Sequence, residues 1–295
     1  MFLSGKELFG FGGGMINSAI KKLAYYEYVF FRFWSRILLG KKKRNELILR
    51  GRINFDRLMF KHFMNKSTGF IKPLNEKEGF ILSNGFHCII PLDSVGVSEE
   101  VKNVYMKPKK GDVVVDIGAH YGFYTLYASR LVGAEGVILS FEPHPDNYKG
   151  LLTNLCLNGI KNVKTFNTAL GEFDGKTKLY IRSHSGWHSI SIRSKDYITV
   201  DLAKLDTIAE GLNLKKVDLI KMDTEGAELD ILKGANEVVK RFKPSLTIAA
   251  YHFPEQAVKL EEWLKKYPYY TIMKKNDSFL HAVHRTPSYM KSQSP

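Results

Sequence analysis

The residues best suited to acid–base chemistry follow two apolar runs. Lys221, Asp223 and Glu225 alternate at the end of 217–222, and His252 follows 245–250. A neutral imidazole is a suitable general base, and a carboxylate can take a proton or bind magnesium. We therefore predict His252 as the first candidate base and Asp223 as the second, with Lys221 and Glu225 as further catalytic candidates. The sequence shows no decisive metal-ligand set, so a metal stays unknown.

The same charges also have a purely structural interpretation. A buried lysine needs a partner, so Lys221 could pair with a carboxylate. Glu225 or Glu228 could instead stabilise the start of the helix that follows. Both interpretations stay open for this segment.

A glycine-containing turn follows the apolar run 113–117. Glycines at this position let a ligand approach the backbone where a strand ends, and the following helix N-terminus can hold a carboxylate. The spacing is Gly-x-x-x-Gly, which argues against a dinucleotide site, and a tight structural turn is the alternative. The candidate ligand-contacting residues are Asp116, Gly118, Ala119, His120, Tyr121 and Gly122.

Glu142 is the third chemical candidate. It ends the next apolar run, lies twenty residues after Gly122 and precedes Pro143. An acidic residue at this interval reaches ribose hydroxyls, and a charged acceptor forms strong hydrogen bonds with them. We predict that Glu142 binds an adenosine ribose, although an exposed surface glutamate could show the same spacing.

Alternating strands and helices must position these residues. The pattern predicts an α/β fold with a doubly wound, mostly parallel seven-stranded sheet and a closing antiparallel hairpin. The predicted core strands are 113–117, 136–141, 163–167, 217–222 and 245–250, and the closing hairpin is 269–273 with 279–283. Further β structure is predicted at 79–90, 176–182 and 189–201. The predicted helices are 123–131, 145–158, 202–210, 227–242 with a break near Gly234, and 255–266.

Residues 1–104 form a predicted basic extension before a domain at 105–286 and a tail at 287–295. Helices are predicted at 15–40, 45–66 and 99–106. The first is rich in aromatic residues and is followed by a basic cluster, so it could lie on a membrane surface. Packing against the domain or against a second subunit is the interpretation we favour.

The net charge of +14 is concentrated at the start of the chain, because the first 110 residues carry +11. Such an excess favours an anionic membrane or nucleic acid as a partner, and a solvated lysine-rich surface is the alternative. Cys88 and Cys156 lie in apolar surroundings and form no ligand cluster, which predicts buried, reduced thiols. No signal peptide or spanning segment is recognised, so we expect a cytoplasmic protein, peripheral on a membrane at most.

Residues 105–275 resemble the FkbM-type methyltransferases of the class I S-adenosylmethionine-dependent fold. The segment 221–228, Lys-Met-Asp-Thr-Glu-Gly-Ala-Glu, is the most specific match. The other matching pieces are 116–122, 141–143, Asn154 with Asn158, 169–171, and Leu205 with Asp206. One departure is at 248–252, where the family commonly has a glutamate-containing run.

The resemblance implies S-adenosyl-L-methionine as the cofactor and O-methylation of a glycan, lipid or small-molecule hydroxyl. It also implies cofactor contacts from Asp116, His120 and Glu142, with Asn167 and Ala169 near the adenine. Pro143 and Asp223 complete the predicted cofactor site, and the Trp187 loop could cover an acceptor ring. The alternatives are a nucleic-acid methyltransferase that uses the basic N-terminal third and a non-catalytic binding module, and the protein could form homo-oligomers.

Overall fold

The computed structural model describes residues 72–73, 78–83, 86–91, 106–182, 185–275 and 278–284. All of them fall within one compact unit, residues 67–295. The helices predicted at 15–40 and 45–66 and the tail at 287–295 lie outside the described residues. So do the helix predicted at 99–106, apart from its last residue, and the turn Asn84–Gly85.

Strands and helices alternate through most of this unit, as predicted. The strands are β1 (Lys72–Pro73), β2 (Glu78–Ser83), β3 (Phe86–Pro91), β4 (Val113–Ile117), β5 (Val137–Phe141), β6 (Val163–Phe166), β7 (Ala169–Leu170), β8 (Gly175–Tyr180), β9 (Tyr197–Ala203), β10 (Leu219–Met222), β11 (Ser245–Ala249), β12 (Tyr270–Lys275) and β13 (Phe279–His284). The helices are α1 (Phe123–Val132), α2 (Pro145–Leu157), α3 (Leu205–Gly211), α4 (Glu228–Gly234), α5 (Asn236–Phe242) and α6 (Gln256–Lys265), with a 3₁₀ turn at Ser185–Trp187.

The central sheet has seven strands in the order β12-β13-β11-β10-β4-β5-β6. The strands from β11 to β6 run parallel, and β13 and β12 close the sheet in antiparallel pairing. Strands β4 and β10 are buried along almost their whole length because helices cover both faces of the sheet. The predicted seven-stranded fold with its closing hairpin is confirmed.

The order of the strands places β10 beside β4 and β4 beside β5. Lys221 pairs in register with Asp116, and Ile117 pairs with Phe141. The carboxyl ends of these three strands therefore meet at one edge of the sheet, where ligands bind in folds of this kind. The chemistry-bearing segments after β4, β5 and β10 are brought together by this register.

The predicted hairpin at 79–90 is formed by β2 and β3, which pair from Glu78–Pro91 to Ser83–Phe86. Two asparagines of α2 hold the outer edge of β3. The Asn158 side chain bonds the backbone N–H and carbonyl of His87, and that of Asn154 bonds those of Ile89. Asn154 and Asn158 are four residues apart and therefore lie on the same side of the helix, and His87 and Ile89 are two residues apart and present their backbone groups at the same strand edge. The two side-chain amides therefore bond this edge of β3 as a neighbouring strand would.

A second sheet of three strands, in the order β7-β9-β8, lies between β6 and β10 in the chain. The sequence predicts β structure at 189–201, but the strand occupies Tyr197–Ala203, and 189–196 forms turns and bends. The helical segment predicted at 227–242 with a break near Gly234 is formed by α4 and α5, which are separated at Ala235, so the predicted break is confirmed. A Cβ on Gly234 would lie 1.9 Å from the Gly171 carbonyl oxygen, so close backbone contact requires glycine there.

The two cysteines differ in environment. Cys88 is buried, and burial raises the pKa of its thiol to about 12. Cys156 is exposed on α2, so the prediction that it is buried is wrong. Leu157, which follows it, is also exposed, whereas Leu155, which precedes it, is buried. In the part of the chain that the structure describes, no helix combines the length and apolar character needed to cross a membrane.

Candidate active site

A cleft with about 570 Å³ of open space lies at the carboxyl ends of β4, β5 and β10. One side, the Glu142 wall, is formed by residues 117–120, 141–143 and 168–170. The other, the acid wall, consists of Asp223, Glu225, Glu228 and His252, of which Asp223 and Glu225 line the cleft.

Glu142 is buried, at 5% exposure, yet it lines the cleft. Its Oε2 accepts the backbone N–H of His120 at 2.8 Å, and its Oε1 accepts the backbone N–H of His144 at 2.9 Å. The Asn147 amide lies 3.4 Å from the same Oε1. Burial outweighs these hydrogen bonds and raises the pKa of Glu142 to about 7. The carboxylate is therefore fixed in position and keeps lone pairs for a ligand that enters the cleft.

The glycines of the 116–122 turn serve chain packing. Gly118 has φ +75°, and a Cβ there would lie 2.0 Å from the Asp223 carbonyl oxygen. Gly122 has φ +85°, and its Cβ would lie 2.5 Å from the Leu151 side chain. The sequence pattern predicts that both glycines let a ligand approach the backbone. Gly122 belongs to the packing of α1 against α2, whereas Gly118 both allows the contact between the β4 and β10 ends and lines the cleft.

Asp116 does not reach the cleft. Its side chain is fully buried, and its Oδ1 lies 3.0 Å from Lys221 Nζ. Its Oδ2 accepts the Thr125 hydroxyl at 2.6 Å, and Lys221 also donates to the Gly118 carbonyl at 2.8 Å. Lys221 is thus paired with a buried carboxylate, as the structural interpretation of this segment predicts. The predicted cofactor contact of Asp116 and the catalytic role of Lys221 are not supported by their positions, because both side chains lie beneath the turn.

The remaining predicted cofactor residues divide into two groups. His120, Pro143 and Ala169 line the cleft with Gly118, whereas Ala119 and Tyr121 are buried in packing around α1 and α2. The Asn167 side chain donates to the Glu142 and Pro143 carbonyls at 2.8 and 3.1 Å. Asn167 therefore positions the backbone of the Glu142 wall and does not itself line the cleft.

The acid wall surrounds His252, whose side chain is only 2% exposed. Its Nε2 lies 3.6 Å from Asp223 Oδ1 and 3.3 Å from Glu228 Oε1, and its Nδ1 lies 3.4 Å from Glu225 Oε2. Burial acts to lower the pKa of His252, but the three carboxylates outweigh it and raise that pKa to about 11. An imidazolium cannot accept a proton, so the prediction of His252 as a neutral general base is not supported by this geometry.

Bonds from neighbouring residues hold the acid wall in place. Glu228 is fully buried, and its Oε1 accepts the Thr224 backbone N–H at 2.8 Å and the Thr224 hydroxyl at 3.0 Å. Gln256 donates to the other Glu228 oxygen and accepts the His252 backbone N–H at 2.8 Å. Glu228 occupies the first turn of α4, where a negative charge is favourable, but its carboxylate accepts the Thr224 N–H before the helix and makes no cap hydrogen bond to the helix itself.

The part of the chain that forms both walls also matches a known protein family. Residues 116–270, just over half of the chain, match the family model described as the methyltransferase FkbM domain. The chain belongs to the FkbM methyltransferase family. The resemblance inferred from the sequence motifs is therefore confirmed.

Two curated relatives and one solved structure illustrate the similarity. Methyltransferase 1 of Beauveria bassiana is 31% identical over 146 residues, covering 42% of this chain and 58% of the relative. The hexuronic acid methyltransferase AglP of Haloferax volcanii is 23% identical over 150 residues, covering 50% of this chain and 60% of the relative. The crystal structure of methyltransferase FkbM from Methylobacillus flagellatus has 20% identity and a TM-score of 0.47, covering 64% of this chain and 51% of that one. The chain thus spans about three fifths of these curated relatives.

This FkbM-family chain also contains site residues that the sequence analysis missed. Ser185 bonds the His120 ring at 3.1 Å through its hydroxyl and accepts the Asn147 amide through its carbonyl at 3.0 Å. Ser189 donates its hydroxyl to the Glu225 carbonyl at 2.6 Å. These serines tie the loop after β8 to both walls, and Trp187 on that loop is 47% exposed. Only the placement of the loop over the cleft identifies them, since isolated serines carry no sequence signal.

Proposed function

We propose that this protein transfers a methyl group from S-adenosyl-L-methionine to a hydroxyl of a glycan, lipid or small molecule. The observation that carries the proposal is Glu142, a carboxylate fixed by two backbone N–H groups inside the cleft of an FkbM-family domain. Bound S-adenosylmethionine supplies a methyl group that its sulfonium already activates. The protein therefore has to bind the cofactor, align the acceptor hydroxyl with the methyl group and exclude water.

The residues of the Glu142 wall fit such a cofactor. Glu142 would accept the ribose hydroxyls, as acidic residues do at this position in related folds. Ala169 and Leu170 line the neighbouring part of the cleft with apolar surface suited to a purine ring. Gly118 and His120 would border the methionine end, because they lie between Glu142 and Asp223 along the cleft.

The acid wall is where we place the acceptor hydroxyl. Asp223 and Glu225 have side-chain exposures of 23% and 19% and line the cleft, so their oxygens can accept a hydroxyl proton. In the transfer, the acceptor oxygen bonds to the methyl carbon while the carbon–sulfur bond breaks and its electron pair stays on sulfur. Asp223 takes the hydroxyl proton, and the imidazolium of His252 balances part of the local negative charge.

A glycan is the acceptor class that we favour. Trp187 and Tyr251 are each about half exposed next to cleft-lining residues, and their rings offer apolar faces with polar edges. One relative is named as a hexuronic acid methyltransferase. Three carboxylates around a single imidazolium leave the acid wall negative, which disfavours the phosphates of a nucleic acid at this point.

The first experiment measures cofactor binding by calorimetry. Glu142→Ala should weaken S-adenosylmethionine binding about 10- to 100-fold, because hydrogen bonds to a charged group contribute roughly 1.5–3 kcal/mol. Glu135→Ala is the matched control, since that glutamate is exposed and pairs only with Lys110 on the surface. Equal binding by Glu142→Ala and the parent would contradict the ribose assignment.

The second experiment identifies the acceptor. The protein is incubated with methyl-labelled cofactor and with separate lipid, glycan, RNA and protein fractions of a cell extract. Label in the glycan fraction supports the proposal, and label confined to RNA favours the nucleic-acid alternative. Cofactor binding without transfer to any fraction would favour a non-catalytic binding module.

A further inference from the structure

We propose that Asp223, Glu225 and His252 bind one divalent transition-metal ion at the acid wall. One candidate ligand atom from each residue lies within 4.8 Å of the other two. Binding of the ion is independent of the proposed methyl transfer, whereas its role in that transfer rests on the proposed function.

The His252 ring provides the observation that points to a ligand. Its Nε2 is buried and has no hydrogen-bond partner, although it faces Asp223 Oδ1 at 3.6 Å and Glu228 Oε1 at 3.3 Å. Both distances exceed the usual 2.7–3.2 Å of an N–H···O hydrogen bond. Leaving a buried polar atom unsatisfied is costly, so a bound group at this point would stabilise the site.

The spacing of these atoms suits a metal ion. Bonds of about 2.0–2.2 Å to nitrogen and oxygen place neighbouring ligands roughly 3–3.5 Å apart around zinc and similar ions. The candidate ligand atoms of Asp223, Glu225 and His252 lie within 4.8 Å of one another before any ion is present, and His252 Nε2 lies 3.6 Å from Asp223 Oδ1. Small side-chain movements would therefore complete the coordination.

The surroundings of the ring match those of metal-binding histidines. Such histidines usually direct their second nitrogen at a carboxylate or carbonyl, which fixes the ring. His252 Nδ1 faces Glu225 Oε2 at 3.4 Å, and Glu225 offers a second oxygen. Gln256 holds the His252 backbone and the Glu228 carboxylate together. The His252 backbone is thus held by a residue outside the ligand set, whereas its ring is oriented by Glu225.

The donor set indicates the class of ion. Imidazole nitrogen favours zinc and other transition metals, whereas calcium and magnesium prefer ligand sets made of oxygen only. One imidazole with two carboxylates therefore suits Mn²⁺ or Zn²⁺. Binding of the ion would release the proton of His252 to solvent, since only a neutral imidazole is a metal ligand. The ion would contact an acceptor hydroxyl and lower its pKa, and the Asp223 oxygen that does not bind the ion would take the hydroxyl proton.

The test titrates the full chain, freed of metal with a chelator, with Mn²⁺ by calorimetry and electron paramagnetic resonance. We expect one saturable site per chain. Asp223→Asn and His252→Ala should each weaken Mn²⁺ binding at least about tenfold. Glu210→Gln on the exposed side of α3 and His284→Ala on β13 are matched controls and should bind as the parent does.

Two outcomes would overturn the inference. One is the absence of saturable Mn²⁺ binding. The other is equal Mn²⁺ binding by the parent and by Asp223→Asn. Asp223 is partly exposed, so this variant should fold and keeps the test valid even if His252→Ala does not fold. S-adenosylmethionine binding in the presence of the chelator separates this inference from the proposed function. If the cofactor binds and Mn²⁺ does not, only the metal site is wrong, and loss of cofactor binding instead contradicts the proposed function.

Discussion

The two walls of the cleft use carboxylates in opposite ways. On the Glu142 wall a single carboxylate accepts backbone N–H groups, and burial raises its pKa to about 7. On the acid wall three carboxylates surround one imidazole, and together they raise its pKa to about 11. The first arrangement suits recognition of neutral hydroxyl groups, whereas the second concentrates negative charge where a cation or a proton can be held.

One buried ion pair, Asp116 with Lys221, joins the two walls underneath. Asp116 ends β4 on one side and Lys221 belongs to β10 on the other, and Lys221 also bonds the Gly118 carbonyl. Because neither side chain lines the cleft, their charges fix the relative position of the walls. The buried structural charge of Lys221 and the cleft-lining charge of Asp223 are therefore only two residues apart, on either side of the end of β10.

The largest expected effect comes from removing this ion pair. Lys221→Met should lower the free energy of unfolding by about 3–5 kcal/mol, because it leaves a fully buried carboxylate uncompensated. Urea denaturation followed by circular dichroism measures the change. Lys110→Met, which breaks an exposed pair with Glu135, should cost no more than about 1 kcal/mol. Equal losses in the two variants would mean that the pair does not hold the walls together.

The next effect comes from filling the contact between the walls. Gly118→Ala should lower the free energy of unfolding by roughly 2–3 kcal/mol and weaken cofactor binding, since its Cβ would meet the Asp223 carbonyl oxygen at 2.0 Å. Gly159→Ala is the matched control because Gly159 has φ +63° with nothing within 4 Å of a Cβ. That control should cost only about 1 kcal/mol. A similar cost at both positions would show that the backbone conformation alone requires the glycine.

The sequence predicted the residues of the two walls better than their roles. Glu142 could be placed because its strand, its position at the strand end and its interval from Gly122 are all local features. The pairing of Asp116 with Lys221 depends on β4 lying beside β10 in a particular register, which no local pattern encodes. The same limit explains why Asp116 was assigned to the cofactor and Lys221 to catalysis.

His252 illustrates a second limit. The sequence correctly placed it at a strand end beside the site, but the protonation state of an imidazole depends on which carboxylates surround it. Glu228 and Glu225 reach the ring only because a turn with Glu225 at φ +56° folds the chain back before α4. The short strand β7 escaped prediction because two residues are too few to show a period, whereas its sheet partners β8 and β9 overlap the β structure predicted at 176–182 and 189–201.

The pH dependence of Glu142 gives an intermediate effect. In the folded protein its pKa is about 7, above the value of 4.5 for an unburied carboxyl. The folded state therefore binds this proton more tightly than the unfolded state does. The stabilisation from this group is present below about pH 4.5 and is lost as the pH rises to about 7. Chemical denaturation across that interval should show this slope in the parent and not in Glu142→Gln.

Cofactor affinity should change in the opposite direction over pH 6–8. Only the ionised Glu142 accepts two ribose hydroxyls, so affinity should rise about tenfold as the carboxyl loses its proton through a pKa near 7. Calorimetry at constant ionic strength measures the trend. An identical pH slope in Glu142→Gln would assign the titration to another group and weaken the contrast between the walls.

The smallest effect should come from Tyr251, which contacts Asp223 and His252 of the acid wall. Its hydroxyl lies 3.4 Å from Asp223 Oδ1, and partial burial with the nearby carboxylates raises its pKa, so it stays protonated and can donate. Tyr251→Phe should lower methyl transfer about two- to fivefold, since a long hydrogen bond contributes at most about 1 kcal/mol. Cofactor affinity should not change, and Tyr197→Phe, at a similarly exposed position, should leave both values unchanged. If Tyr251→Phe weakened cofactor binding as much as transfer, the two walls would not be separate in function, and the acid wall would belong to the cofactor site.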